Sequence, residues 1–91
     1  MSLTLFYTSV SSSVQIKKSQ DKIKAVLESL MIPFIMVDIA QSSEDRETMR
    51  RICGNPTALP PQLAHGDVYC GDFAAFENAI EEERLEEFLK Q

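Results

Sequence analysis
Apolar and polar residues alternate in blocks along this chain, and the period changes from block to block. Leu3, Leu5, Phe6 and Tyr7, with Thr4 among them, make a short aromatic-rich run that reads as a buried strand. Thr8, Ser9, Ser11, Ser12 and Ser13 follow, a hydroxyl-rich loop able to cap the next helix. Over residues 14–30 the apolar positions include Ile16, Ile23, Val26, Leu27 and Leu30. Their later spacing is that of a helix with one buried face, and Met31, Ile32 and Pro33 end it. Residues 34–37 are continuously apolar and β-prone, and Asp38 and Ile39 extend them. That run predicts a strand buried on both faces, as in a parallel sheet. Strand, helix and parallel strand together make a right-handed unit.

A second helix is expected after Ser42 or Ser43. Glu44, Asp45 and Glu47 open it and Arg50 and Arg51 close it, an order that complements the helix dipole. Met49 and Ile52 give its apolar stripe; Gly54 is a natural C-terminal cap, and Asn55-Pro56 breaks the chain. Pro60 and Pro61 then fix two φ angles and remove two N–H donors. They stand where a hairpin of residues 62–65 and 68–70 begins, which is where a missing donor costs least. An X-Pro bond in a tight turn is also the usual home of a cis peptide. Gly66-Asp67 turns the hairpin, and Gly71-Asp72 is read as the turn after it. Asp72 caps a last helix that carries Phe73, Phe76, Ala79 and Ile80 inward. Residues 81–84 are all charged, so that helix is expected to bend or break before Leu85, Phe88 and Leu89 resume the stripe. The predicted order is β-α-β-α-β-β-α, an α/β fold.

Composition narrows the function classes. Ninety-one residues make one domain, 1–91. A net charge of −5 argues against a nucleic-acid or anionic-membrane partner, which needs clustered bases. Lys17, Lys18, Lys22 and Lys24 do cluster, and read as a solvated helix face. No apolar run approaches the about 20 residues of a membrane span, and no signal peptide is visible. Cys53 and Cys70 form neither a C-x-x-C motif nor a disulfide framework, which fits a reducing cytosol. A monomer in the cytoplasm, extending to the nucleus, is the expectation.

Longer motifs sharpen the picture. Tyr7-Thr8-Ser9-Val10, Val37-Asp38-Ile39, Asn55-Pro56, Pro60-Pro61-Gln62, the run of residues 66–73 (Gly-Asp-Val-Tyr-Cys-Gly-Asp-Phe) and Glu86-Glu87-Phe88-Leu89 resemble the SH3-domain-binding glutamic-acid-rich-like protein family. The similarity spans essentially the whole chain and is to the short members, which lack a glutamate-rich tail. It implies a thioredoxin-like, glutaredoxin-like α/β fold with a four-stranded mixed sheet flanked by helices. By that resemblance Pro61 takes the cis-proline position of glutaredoxins. The two cysteine positions of their Cys-x-x-Cys motif fall at Ser11 and Val14, and their glutathione-binding lysine at Thr8. All three departures point away from dithiol chemistry, which needs a thiolate and a resolving thiol.

The expected function is therefore a non-catalytic glutaredoxin-like interaction or regulatory module. Its remnant groove would be lined by Thr8, Ser11, Ser12, Ser13, Pro60, Pro61, Gly71 and Asp72. The alternative is a residual glutathione-binding or thiol-redox protein, with Cys70 as a redox-sensitive thiol or sensor. Each residue also has a plainer reading. The serines and Asp72 are helix caps, Cys70 a small partly buried hydrophobe, and Cys53 an inert thiol at a helix C-terminus. His65 stands alone beside Gly66, is read as a solvent-facing turn residue, and gives no metal site. Glu77, Glu81, Glu82, Glu83, Glu86 and Glu87 read as a solvated face, or more sharply as a surface for a basic partner. No cofactor is expected, glutathione being the weak candidate, and the protein partner is not named by the sequence. An SH3 domain is discounted, because prolines at 56, 60 and 61 give no PxxP spacing.

Overall fold
β1 (Leu3–Tyr7) runs through the middle of a four-stranded sheet in the computed structural model, which describes residues 2–11 and 13–90. Ser12, one of the predicted loop hydroxyls, lies outside the described residues. β1 pairs in parallel with β2 (Ile35–Asp38) on one side and antiparallel with β3 (Gln62–His65) on the other. β3 pairs antiparallel with β4 (Val68–Asp72). The sheet is mixed, as expected, in the order β2-β1-β3-β4.

The two faces of the sheet bury different cores, and period-two alternation along β1 divides them. Leu3 and Leu5 point one way, with Leu63 of β3, into a cluster with Ile23 and Leu27 of α1 (Val14–Ser29). Phe76 of α3 (Phe73–Glu81) joins them, as does Leu89, just beyond α4 (Leu85–Phe88). Phe6 and Ala64 point the other way, against Ile39, Ala58 and Met49 of α2 (Ser43–Cys53). Full burial of residues such as Phe76 and Leu5 stabilises by about 2–3 kcal/mol each.

The caps follow the sequence chemistry. Ser13 accepts from the N–H of Ile16, Ser42 from Asp45 and Asp72 from Ala75, while Gly54 closes α2 in the left-handed region. The last helix does break among its charged residues, at 82–84. Three other helix ends depart from the usual glycine rule. Met31 (φ 58°), Glu83 (φ 56°) and Lys90 (φ 61°) are left-handed. At the first two the next N–H reaches back to close the helix, Ile32 to Leu27 O and Arg84 to Ala79 O. A side chain there carries a conformational cost that glycine lacks. Met31→Gly and Glu83→Gly are each expected to raise stability by about 1 kcal/mol, read as a later urea midpoint with unchanged slope.

Four expectations need correction, the first being that Leu30 and Ile80, expected on buried helix faces, are 54% and 38% exposed. β2 is not buried on both faces: it is an edge strand, and Ile35 is 51% exposed. Only β1 flanks it, so its apolar run reflects strand propensity and partial cover rather than a central position. Gly71 and Asp72 do not form a separate turn. They remain in β4, paired with Leu63 and Gln62, and the chain passes directly from strand to helix at Asp72. A bulge between Leu63 and Ala64 leaves Cys70 as the extra residue on β4. His65 is not simply a solvent-facing turn residue: it is half-buried, and its Nδ1 lies 3.0 Å from Leu89 O, tying the final helical turn to β3.

Candidate functional site
One end of the sheet collects most of the predicted site. The antiparallel pairing of Phe6 with Gln62, and of Gln62 with Asp72, aligns three features there. They are the exit of β1, which leads to Thr8, the Pro60-Pro61 approach to β3, and the start of α3 at Asp72. The parallel pairing of Tyr7 with Asp38 adds the end of β2. Ser11 and Ser13 follow at the head of α1.

Local hydrogen bonds fix this end. Gln20, buried on α1, holds Thr8 from both sides: Thr8 N–H donates to its Oε1 at 2.8 Å, and its Nε2 donates to Thr8 O at 3.1 Å. Thr8 Oγ1 donates to Val10 O, which tightens the loop. The Ser11 hydroxyl is engaged within the loop, accepting from Ser13 N–H at 3.1 Å and donating to Ser13 O at 3.2 Å. Val14 is exposed. The Pro60–Pro61 peptide is cis, and both prolines are buried. Leu59, immediately before them, is exposed.

Asp38 anchors the loop from β2. Its Oδ1 accepts from Ser9 N–H at 3.1 Å and Ala40 N–H at 3.0 Å. Burial raises its pKa, but hydrogen bonds from Ser9, Ala40 and Gln41 outweigh that and leave it below the ordinary value. A carboxyl depressed in the folded state contributes stability above its unfolded pKa and loses it as pH falls through the folded one. The Ser9 and Ala40 amide signals are therefore expected to titrate with a midpoint below the usual carboxylate range. Asp38→Asn abolishes that titration in an NMR pH series.

Neither thiol is on the serine loop. Cys53 packs on the α2 side of the sheet and Cys70 on the α1/α3 side, so no Cys53–Cys70 bridge forms and both are free. Burial pushes the Cys53 thiol up, against the pull of Tyr69 and with the help of Asp72. Burial also pushes Cys70 up, only partly offset by Lys90 and the His65 backbone. A thiol raised in this way is a poor nucleophile at neutral pH. Tyr69 is pushed up to about 12 by burial first, then by Cys53 and Asp72. Its hydroxyl donates to Gln62 Oε1 at 2.7 Å, and Gln62 Nε2 donates to Leu59 O at 2.8 Å. This chain of contacts steadies the double-proline approach. Among the described residues no group of His, Cys, Asp and Glu has the geometry of a metal site.

Sequence reasoning missed Gln20, Asp38, Gln62 and Tyr69. A signal existed for Gln20, a polar residue midway between Ile16 and Ile23 on the buried stripe of α1. Such a residue demands a partner.

The chain matches known proteins along its whole length. A family described as "SH3-binding, glutamic acid-rich protein" matches residues 1–91. The SH3 domain-binding glutamic acid-rich protein homolog of Drosophila melanogaster is 32% identical over 104 residues, 99% of this chain and 65% of that protein. The chain thus spans 65% of that curated relative's length. Among solved structures, the actin interacting protein Aip5 of C. albicans superposes with a TM-score of 0.79 at 25% identity, covering 97% of this chain and 87% of that one. A buckwheat glutaredoxin–glutathione complex superposes at 0.70 with 13% identity, covering 97% and 76%. The fold is thioredoxin-like, of the glutaredoxin kind.

Proposed function
The chain belongs to the SH3-binding, glutamic acid-rich protein family, and from that premise we propose that it is a non-catalytic glutaredoxin-like module that binds a protein partner. The face involved is the remnant groove around Thr8, Ser11, Ser13 and Asp72, bordered by the buried Pro60-Pro61 pair. One observation carries this reading. The head of α1, where a glutaredoxin holds its nucleophile, presents a serine hydroxyl engaged with Ser13, while both thiols sit in separate cores with raised pKa values. A hydroxyl at that position lacks the acidity to open a disulfide.

Exposed Val10, Val14 and Leu59 give the same end apolar contact surface, which suits a protein partner. The actin interaction in the name of the C. albicans neighbour supports the same class. The partner is not an SH3 domain reading the double proline, because Pro60 and Pro61 are buried and the PxxP spacing is missing. We place the protein in the cytoplasm, with access to the nucleus, as a monomer.

A glutathione-dependent disulfide reduction assay tests the reading. The expected rate equals that of a C53S/C70S control. Turnover well above that control would restore the enzyme reading, with Cys70 the thiol to substitute first.

A further inference from the structure
The ends of α1, α3 and α4 that lie away from the serine loop enclose two adjoining clefts. Their volumes are about 590 and 620 Å³, and both are lined by Leu30, Glu83 and Leu85. The floor is apolar: Val26, Ile32 and Ile80 extend Leu30 and Leu85. The rim is acidic, with Glu77, Glu81, Glu83, Glu86 and Glu87 around it. Lys22 pairs with Glu77, and Arg84 with Glu82 and Glu87. Glu81, Glu83 and Glu86 have no ion pair among the described residues, so the rim keeps uncompensated negative charge.

Folding alone does not account for the residues placed here. Leu30 is 54% exposed, and Met31, next to it, is 88% exposed in a left-handed conformation that glycine would fill at lower cost. An exposed apolar floor edged with unpaired carboxylates is complementary to one kind of surface: an apolar stripe flanked by cations.

We propose that this groove docks a basic amphipathic helix of a partner protein. Leucine-like residues at i, i+3 or i+4, and i+7 of that helix lie along Leu30, Ile80 and Leu85. Its lysines or arginines reach Glu81, Glu83 and Glu86. The site is distinct from the head of α1, since a helix of 16 residues separates the two by about 24 Å. One partner can therefore occupy each, and loss of one site leaves the other intact.

The test uses the full chain, labelled with ¹⁵N, and a synthetic leucine–lysine helical peptide with all its leucines on one face. A peptide of the same composition in scrambled order serves as control. The expected result is a set of shifts centred on Val26, Leu30, Ile80 and Leu85 that the scrambled peptide does not reproduce. Leu30→Glu adds a carboxylate while removing apolar floor, and is expected to weaken binding about tenfold. The E81Q/E83Q double variant is expected to weaken binding and flatten its salt dependence. Leu30 is exposed, so an unchanged melting midpoint identifies a folded variant. Equal binding by the scrambled peptide, or unchanged or tighter binding by Leu30→Glu, would mean charge attraction without a groove and would overturn the proposal. A dimer of the free chain in sedimentation that Leu30→Glu dissolves would assign the groove to a second copy and overturn it equally. Silence in the disulfide assay bears on neither outcome.

Discussion

Gly71→Ala is expected to cost about 3 kcal/mol of folding stability, the largest single loss considered for this protein. Gly71 sits at φ 153°, where L side chains are strained. A Cβ there would stand 2.7 Å from Phe88 Cε1 and 2.9 Å from both Phe88 Cζ and Ala75 Cβ. Phe88 cannot simply swing aside, since its ring packs edge-on against Phe76 at 6.2 Å between centroids, and Phe76 is fully buried. Ala75 is fixed to the first turn of α3, which Asp72 caps. The clash therefore pushes on α4, which is held through the buried Leu89 and the His65 contact to Leu89 O. For a domain whose whole stability is roughly 5–10 kcal/mol, the loss shows as a much earlier denaturant midpoint. It also shows as faster amide exchange over residues 85–89. A change below about 1 kcal/mol would mean that Phe88 repacks freely, and that α4 is not wedged against the sheet.

The same glycine shows what a single sequence reveals and what it hides. Local chemistry was legible. Gly54 and Asp72 cap the helices they were expected to cap, and Ser13 and Ser42 come from the hydroxyl cluster and the serine pair offered for the other two, because a cap depends on residues three or four positions away. The break among residues 82–84 was legible for the same reason, a stretch with no apolar position to bury. Long-range placement was not. Gly71 read as a turn residue because glycine usually marks one; its actual reason is a phenylalanine seventeen positions later, which no local pattern reveals. Residues 34–37 read as a strand buried on both faces because continuous hydrophobicity does not say how many neighbours a strand has. His65 read as solvent-facing because its partner, Leu89 O, belongs to the far end of the chain. At the site, the missing thiol motif was plain from the residue types. The supports of the loop were not, since Gln20 and Asp38 reach it across 12 and 29 positions.

Ser11→Cys, made in a C53S/C70S background, is expected to create a thiol more reactive than either native cysteine. Ser13 N–H points at the Ser11 side-chain oxygen across 3.1 Å, just ahead of the start of α1. Backbone donors and the positive end of a helix stabilise a thiolate in that setting, commonly lowering its pKa by one to several units, to about 3.5–7.5. The native thiols have the opposite surroundings, half-buried and raised. Each unit of separation is tenfold in thiolate fraction near neutral pH, so alkylation of Ser11→Cys is expected to outpace either native cysteine on the order of a hundredfold. The engineered residue is also exposed, as Ser11 is, so access does not cancel the gain. The pH profile of alkylation separates this account from mere exposure. A lowered pKa keeps the rate high as pH falls toward 6, whereas an exposed but ordinary thiol slows about tenfold per unit. A profile matching a free cysteine would show that the head of α1 does not supply the electrostatics of a thiol site. A lowered profile would mean that one oxygen-for-sulfur exchange is what separates the head of α1 from reactive thiol chemistry.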